Sequence, residues 1–265
     1  MISRININIA DIRAEPKFQS ERTSQTLFNE IVEVLDEQDG YLRVKSRDGY
    51  IGWIAAQFTS EYKKYESKKS YLVISNLAPG FAYPDIESAR IVYLPYGCSL
   101  YGEEEDGFLK IITERYGEIY VRLGETLTLT SPLEPFRPNG DFIKNEAEKF
   151  LSAPYLWGGR SFFGIDCSGF VQTIMRRFGW ELPRDTKDQI NCGIKIDRKS
   201  IRNGDLLFFP RHVALAVSKR EFIHSSSSNG GVAYNSLDPE RPIYSEYLVK
   251  NFIVARRVIS LGVSG

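Results

Sequence analysis

The chain has 265 residues, of which 42% are hydrophobic and 26% charged, values ordinary for a soluble globular protein with a hydrophobic core. Its 34 basic and 34 acidic residues balance, which argues against binding to nucleic acid or to an anionic wall through bulk electrostatics. No run approaches the about 20 apolar residues that a membrane-spanning helix needs. The length allows two or three small domains.

The first residues, "MISRININIADIRAEP", alternate between apolar and polar side chains. Ile5, Ile7 and Ile9 point one way, as in a half-buried strand. The segment lacks the continuous apolar stretch and the small-residue cleavage site of a signal peptide. We therefore expect a cytoplasmic protein, or a secreted or periplasmic one where a leader peptide has been removed.

An internal repeat organises the first half of the chain. The segment "DGYLRV" at 39–44 returns as "DGFLKI" at 106–111, an offset of 67 residues. The same offset pairs Trp53 with Tyr120 and Ile54 with Val121. Both copies are rich in strand formers and punctuated by Gly and Asp, a pattern that predicts two small β units.

Polar and proline-rich segments mark the expected domain boundaries. The connector "SEYKKYESKKS" lies between the copies, and "TSPLEPFRPNGD", with three prolines, follows the second copy. We predict domains at 1–66, 67–135 and 136–265.

Two amphipathic helices are predicted beyond the second boundary. The first has apolar residues at i, i+4, i+7 and i+8 from Ile143, behind Asp141 as its N-cap. The second follows a glycine-rich turn and carries an apolar face from Phe170 to Phe178. The strands "DLLFF", "HVALAV" and "EFIHS" come next, so this segment is predicted to be an α+β domain with an antiparallel sheet.

Cys167 would lie in the first turn of the second helix, where free N–H groups and the helix dipole favour an anion. Such a position lowers the pKa of a thiol, and a cysteine nucleophile also needs a base and a group that orients it. The chain has only two histidines, His212 and His224, and both lie in this segment. Cys98 and Cys192 are interpreted as small buried hydrophobes, since no spacing indicates a disulfide scaffold or metal site.

The strand pattern tests whether the histidines can meet. A two-residue hairpin turn after residue 217 would place them on opposite faces of the sheet. A three-residue loop at 218–220 would pair His224 with Ala214 and make His212 its diagonal neighbour. We therefore predict an odd-length loop or a bulge.

These motifs together resemble a known family. The segments "PYLWGGRSFFGIDCSGFVQ", "LPRDTKDQ", "NGDLLFF", "HVALAV" and "FIHSSS" resemble the NlpC family of papain-like cysteine peptidases, which cut bacterial cell-wall peptides. The first repeat copy resembles the bacterial SH3-like barrel, ending in its Gly-Tyr-x-Gly-Trp pattern, and the second is a degenerate copy. The resemblance implies a multidomain chain with two N-terminal all-β SH3-like barrels before an α+β papain-like domain.

The resemblance also implies a catalytic set. Cys167 would be the nucleophile, His212 the general base and His224 the residue that orients the base. Tyr155 would stabilise the oxyanion together with the backbone N–H of Cys167. We expect a thiolate–imidazolium pair formed in advance, and no cofactor or metal, although Cys-His-His zinc ligation is chemically allowed.

The substrate is likewise implied by the resemblance. NlpC-like enzymes behind two SH3-like domains resemble γ-D-glutamyl-L-diamino-acid endopeptidases, which recycle murein peptides. The expected substrate is L-Ala-γ-D-Glu-diamino acid with a free N-terminal amine, and the diamino acid, diaminopimelate or lysine, is left open. Asp166, Tyr50 and Glu15, with Glu21 as a substitute, would recognise the amine, because an unpaired ammonium is costly to bury.

Two further residues match family positions that contact the D-glutamyl group, namely Ser168 and Asp185. Simpler interpretations exist as well: Asp166 can be a plain helix N-cap, Glu15 a solvated loop acid and Tyr50 a barrel aromatic.

Other functions stay open at this point. The chain could be a secreted hydrolase of intact peptidoglycan, or a catalytically inactive wall-binding protein whose SH3-like domains carry the function. An acyltransferase on the same scaffold is a third alternative. We expect a monomer that binds no nucleic acid.

Overall fold

The computed structural model describes residues 1–63, 69–131 and 138–258. The chain divides into two compact units, Met1–Leu133 and Glu134–Gly265. The predicted domain boundaries after 66 and after 135 fall on residues outside the described ranges, so they stay predictions. No helix within those ranges is long and apolar enough to cross a membrane.

The first repeat copy forms one seven-stranded antiparallel sheet. Its strands are β1 (Ile2–Ile5), β2 (Ile9–Arg13), β3 (Arg22–Leu27), β4 (Ile31–Gln38), β5 (Tyr41–Lys45), β6 (Ile51–Ala55) and β7 (Thr59–Glu61). A 3-10 helix at Ala56–Phe58 lies between β6 and β7. They are ordered β3-β2-β6-β5-β4-β1-β7. Their inward side chains, Ile5, Ile12, Val32, Val44 and Ile54 among them, form a buried core.

The second copy repeats this plan in two smaller sheets. Its strands are β8 (Ser70–Val73), β9 (Leu77–Phe81), β10 (Arg90–Pro95), β11 (Ser99–Leu100), β12 (Glu103–Glu105), β13 (Phe108–Thr113), β14 (Gly117–Arg122) and β15 (Thr126–Leu129). The sheets are ordered β10-β9-β14-β13-β12 and β11-β8-β15. The long β4 corresponds to the separate strands β11 and β12, which is why one sheet becomes two.

The structure confirms the internal repeat in its backbone detail. The 3-10 helix at Ala56–Phe58 returns at Leu123–Glu125, 67 residues later. The Asp-Gly turns at 39–40 and 106–107 both have positive φ at each residue, as a two-residue hairpin turn of this kind requires. Leu27 and Phe28 of the first copy pack in the buried cluster of the second, so both copies share one unit.

Over residues 138–258, the described part of the second unit, the chain forms a six-stranded antiparallel sheet, four α-helices and a 3-10 helix at Arg198–Ser200. The helices are α1 (Gly140–Glu148), α2 (Cys167–Arg176), α3 (Thr186–Gln189) and α4 (Glu246–Lys250). The strands are β16 (Arg160–Ser161), β17 (Gly164–Ile165), β18 (Ile194–Ile196), β19 (Leu206–Phe209), β20 (His212–Ala216), β21 (Glu221–Ser226), β22 (Gly231–Ser236) and β23 (Val254–Arg257). The sheet is ordered β18-β23-β19-β20-β21-β22, and β16 pairs with β17. The predicted fold class, a strand-rich N-terminal region followed by an α+β domain, is confirmed.

Helix α2 supplies much of the core of this unit. The predicted apolar face from Phe170 to Phe178 is buried, and the helix packs against β20 and β21. The predicted cap of α1 is wrong by two residues: the side chain of Asn139 accepts the N–H of Asp141. Asp141 therefore lies inside the first turn, where its carboxylate accepts a hydrogen bond from Asn203 at 2.7 Å.

The hairpin between β20 and β21 has the predicted register. Leu215 pairs with Ile223 and Ala216 with Phe222, and the N–H of Val217 bonds to the carbonyl of Glu221. The loop is therefore three residues long, 218–220, and the pairing continues to place His224 opposite Ala214.

Gly52, the second glycine of the "GYIGW" pattern, lies where two strands come very close. A Cβ at this position would be 2.4 Å from Ile12 Cγ2 and 2.8 Å from the carbonyl oxygen of Arg13. Strand β6 can approach β2 this closely only because the residue has no side chain.

We expect Gly52→Ala to lower the free energy of unfolding of the first unit by about 1–3 kcal/mol, because the added methyl group overpacks a closed site. Gly124→Ala is the matched control, since its Cβ would meet no heavy atom within 4 Å. Urea unfolding of the two variants checks this. Equal stability of both would show that β2 and β6 can separate without cost.

Candidate active site

The glycine-rich turn before α2 wraps around the first turn of that helix. The N–H of Gly158 donates to Asp166 Oδ2 at 2.9 Å, and the N–H of Asp166 donates to the carbonyl of Gly159. A Cβ at Gly169 would lie 2.3 Å from the carbonyl oxygen of Gly159. The glycines are therefore needed for the loop backbone to lie directly on the start of the helix.

Asp166 contacts the glycine-rich turn, the first turn of α2 and Arg184. It is the N-cap of α2, as the simpler prediction had it, and its Oδ1 accepts the N–H of Gly169 at 2.7 Å. Its two oxygens also accept Arg184 Nη1 at 3.0 Å and Nη2 at 2.6 Å, while Arg184 Nη1 donates to Ser168 Oγ at 2.8 Å. Asp166 and Arg184 are only 4% and 3% exposed, so each neutralises the other's charge away from solvent.

Cys167 is the first residue of α2 and is buried. Its sulfur lies 3.9 Å from Thr186 Oγ1. The backbone N–H groups of Val213 and Ser168 act on the sulfur and favour its thiolate form, lowering the pKa against the effect of burial. Because Val213 directly follows His212, the first residues of β20 lie beside the cysteine.

The two histidines meet as the register requires. His212 Nε2 and His224 Nδ1 are 2.6 Å apart and share a hydrogen bond, with the rings nearly perpendicular at 79°. On its other side, His224 Nε2 lies 2.7 Å from Asn235 Oδ1. His224 is 2% exposed and His212 half-buried. A polar chain thus runs from β22 through β21 to the start of β20.

Burial determines the protonation of this chain. It raises the pKa of the Cys167 thiol, and the neighbouring Asp166 carboxylate raises it further. It also lowers the pKa of His212 to about 3 and that of His224 to about 4. Both directions favour a neutral thiol beside a neutral imidazole and thus run against the predicted thiolate–imidazolium pair, which stays a prediction.

Tyr155 belongs to the same site. Burial raises the pKa of its phenol to about 12, and the charges of Cys167 and Asp166 add to the effect. The hydroxyl therefore keeps its proton and can donate a hydrogen bond. The effect of Cys167 and Asp166 on this phenol puts Tyr155 near the start of α2, where the first N–H groups have no carbonyl partner within the helix.

The other predicted residues divide between the two units. Ser168 is buried and bonded to Asp166 and Arg184. Asp185, beside Thr186, is half-buried, and burial raises the pKa of its carboxyl.

In the first unit, the carboxylate of Glu15 pairs with Lys17 and is 60% exposed. Tyr50 packs partly buried against the core of the first sheet, and Glu21 is exposed. Roles of these three residues in substrate recognition stay predictions.

Zinc ligation finds no support in the geometry. Within the described ranges, no group of three His, Cys, Asp or Glu side chains is placed to hold a metal ion. The facing nitrogens of His212 and His224 are used in their mutual hydrogen bond.

Sequence reasoning missed three functional neighbours, namely Arg184, Thr186 and Asn235. Arg184 and Thr186 lie 18 and 19 residues beyond their partners Asp166 and Cys167. Periodicity carries no signal for contacts of this kind. Asn235 could have been found, because the hairpin pattern of β21 and β22 places it near His224.

Comparisons with known proteins agree with this architecture. The NlpC/P60 family matches residues 152–257, and the bacterial dipeptidyl-peptidase Sh3 domain matches residues 12–57. Gamma-D-glutamyl-L-lysine dipeptidyl-peptidase of Bacillus subtilis (strain 168) is 30% identical over 230 residues, 79% of this chain and 74% of the relative. Dipeptidyl-peptidase 6 of Lysinibacillus sphaericus is 29% identical over 260 residues, 91% of this chain and 93% of the relative.

A solved structure shares the whole fold. The crystal structure of an NlpC/P60 family protein from Bacillus cereus ATCC 10987 superimposes with a TM-score of 0.84, at 21% identity, over 98% of this chain and 100% of the other.

We expect alkylation of Cys167 by iodoacetamide to rise with pH through a midpoint above the ordinary thiol value of 9.0, because burial favours the neutral thiol. The experiment uses Cys192→Ser as its background, because the half-buried Cys192 could otherwise be alkylated as well. Peptide mass mapping then quantifies the label at Cys167. In that background His212→Ala should leave the midpoint nearly unchanged. Rapid labelling at neutral pH that is lost in His212→Ala would instead show the preformed ion pair.

Proposed function

The chain belongs to the NlpC/P60 family of cysteine peptidases, and on that basis we propose that it hydrolyses the γ-D-glutamyl–L-diamino acid bond of murein peptides that begin with a free L-alanine. The diamino acid is lysine or diaminopimelate. The release of L-Ala-D-Glu would place the enzyme in the recycling of wall peptides, in the cytoplasm.

One observation carries this choice of substrate. The similarity to dipeptidyl-peptidases is not confined to the peptidase unit but includes the first strand-rich copy, residues 12–57. An enzyme that acts on the polymeric wall has no evident need for the accessory domain of a dipeptidyl-peptidase. The two dipeptidyl-peptidases named above also match over most of their own length.

The proposed chemistry uses the groups assembled at the start of α2. His212 accepts the proton of the Cys167 thiol as the sulfur attacks the amide carbonyl, so charge appears only as the bond forms. The developing oxyanion receives hydrogen bonds from the Tyr155 hydroxyl and the N–H of Cys167. Protonated His212 then gives its proton to the leaving amine, and water attacks the acyl-enzyme, with His212 again as base.

Asp166 has a structural rather than a direct part in the proposed recognition of the substrate. The oxygens of Asp166 already accept five hydrogen bonds, from Arg184, Ser168 and two backbone N–H groups. Asp166 therefore offers little further acceptor capacity to an ammonium group. Its contribution is to hold Arg184 and Ser168, while Asp185 and Ser168 supply the contacts to the D-glutamyl group.

The substrate is tested with L-Ala-γ-D-Glu-L-Lys, its diaminopimelate counterpart and N-acetylated forms of both. We expect cleavage of the free peptides to L-Ala-D-Glu, measured by mass spectrometry, and a loss of more than about 10³-fold in kcat/KM on acetylation, because a site built for an ammonium group rejects a neutral one. Cys167→Ala should abolish cleavage. Equal cleavage of acetylated peptides would favour a hydrolase of intact peptidoglycan, and no cleavage of any peptide would contradict the proposed function.

Tyr155→Phe should lower kcat by about 10²-fold with little change in KM, because the hydroxyl acts on the oxyanion rather than on the bound substrate. Tyr247→Phe, at a side chain that is 67% exposed in α4, is the matched control and should behave as the wild type. Steady-state kinetics with the free tripeptide distinguishes the two. A rise in KM with unchanged kcat would assign Tyr155 to substrate binding instead.

A further inference from the structure

Asn235 of β22 ends the polar chain that leads from the reacting cysteine into the domain. It is half-buried, and its side chain makes hydrogen bonds with His224, Asn229 and the backbone of Ile243. A chain of neutral imidazoles can carry its protons in two opposite orders, and only one order leaves His212 Nδ1, the nitrogen not bonded to His224, without a proton. Asn235 decides between them.

The backbone fixes which way the amide of Asn235 points. The carbonyl oxygen of Ile243 can only accept a hydrogen bond, and it lies 2.9 Å from Asn235 Nδ2. Asn229 Nδ2 agrees with this orientation, because it donates to Asn235 Oδ1 at 2.8 Å. Asn235 Oδ1 is therefore the atom that faces His224.

The amide then fixes the tautomer of the buried histidine. Asn235 Oδ1 has no proton to give, and it lies 2.7 Å from His224 Nε2, so Nε2 must carry the ring proton of a neutral His224. Asn229 Nδ2 also approaches Nε2, at 3.3 Å. If Nε2 were bare and accepted this longer bond from Asn229, its lone pair would face the lone pair of Asn235 Oδ1 at 2.7 Å. Two acceptors repel each other at that distance, so the proton lies on Nε2.

The tautomer of His224 in turn determines the tautomer of His212. With its proton on Nε2, His224 has a bare Nδ1, which accepts from His212 Nε2 at 2.6 Å. The proton of neutral His212 therefore lies on Nε2, and its Nδ1 keeps a free lone pair. We propose that Asn235 is a positioning residue of the peptidase, which sets the tautomers of His224 and His212 so that His212 Nδ1 is the catalytic base.

The order of protons matters for the reaction. If His224 carried its proton on Nδ1, His212 would have to accept at Nε2 and would present an N–H from Nδ1. That ring could not take the thiol proton. The inference rests on the proposed role of His212 as base, but the tautomers themselves can be observed without any substrate.

The test is a ¹⁵N spectrum of the histidine rings in the full chain, labelled on histidine. Protonated and bare ring nitrogens have distinct chemical shifts, and the chain has only two histidines, which a His212→Ala spectrum assigns. At neutral pH we expect both rings to be protonated on Nε2 alone. A proton on Nδ1 of His212 in the wild type would overturn the inference, whatever the enzyme cleaves.

Two variants separate the oxygen of Asn235 from its amide nitrogen. Asn235→Leu removes both, and we expect the proton of His212 to leave Nε2 and kcat to fall by about 10²- to 10⁴-fold, as for a catalytic histidine in the wrong tautomer. Asn235→Asp keeps the acceptor for His224 and loses the bond to Ile243. It should keep the wild-type tautomers and most of kcat, with the acidic limb of the pH profile moved to higher pH, because the added carboxylate favours protonated histidine.

A structural role would give a different pattern. If Asn235 served only to anchor Ile243, both variants would lose the same activity, and the tautomers in Asn235→Leu would not change. Asn251→Leu is the control, since Asn251 also donates to a backbone carbonyl, that of Tyr247, and touches no histidine. The two proposals can also fail separately. If the wild-type spectra are as expected but the protein cleaves no tripeptide, the proposed function is contradicted and the tautomer assignment still holds.

Discussion

The placement of the reacting cysteine depends on one buried carboxylate. Asp166 caps the helix that Cys167 begins, accepts the N–H of the glycine turn, and holds Arg184 in a two-pronged ion pair. Removal of either charge would leave the other buried without this counter-charge, at a cost of about 3–5 kcal/mol. The Asp166 side chain thus contacts the glycine-rich turn, the first turn of α2 and Arg184, which lies two residues before Thr186.

The base is placed by a different constraint, the register of one hairpin. Residues lie on alternating faces of a strand, so a loop shorter by one residue would have sent His212 and His224 to opposite sides of the sheet. With the three-residue loop at 218–220, His212 Nε2 and His224 Nδ1 lie 2.6 Å apart. The histidine pair and the cysteine meet because β20 packs against α2, which joins the hairpin to the helix that Asp166 secures.

Burial gives this site its chemical character. Burial raises the pKa of the Cys167 thiol and lowers the pKa of both imidazoles, so it favours the neutral form of all three groups. Such a thiol is less open to oxidation than a standing thiolate. In the proposed mechanism, reactivity depends on transfer of the thiol proton to His212 during attack, and on the Tyr155 hydroxyl as a hydrogen-bond donor to the developing charge.

The sequence by itself determined the repeat of 67 residues, the α+β character of the second unit and the helix that begins near Cys167. These follow from local periodicity and turn chemistry, which act over a few residues. Only the tertiary structure decided that Asp166 is bound to Arg184, that Asn235 is bonded to His224, and that Cys167 and His212 lie where burial favours their neutral forms. Ion-pair partners and desolvation depend on which distant segments pack together, and no local pattern in the chain records that packing.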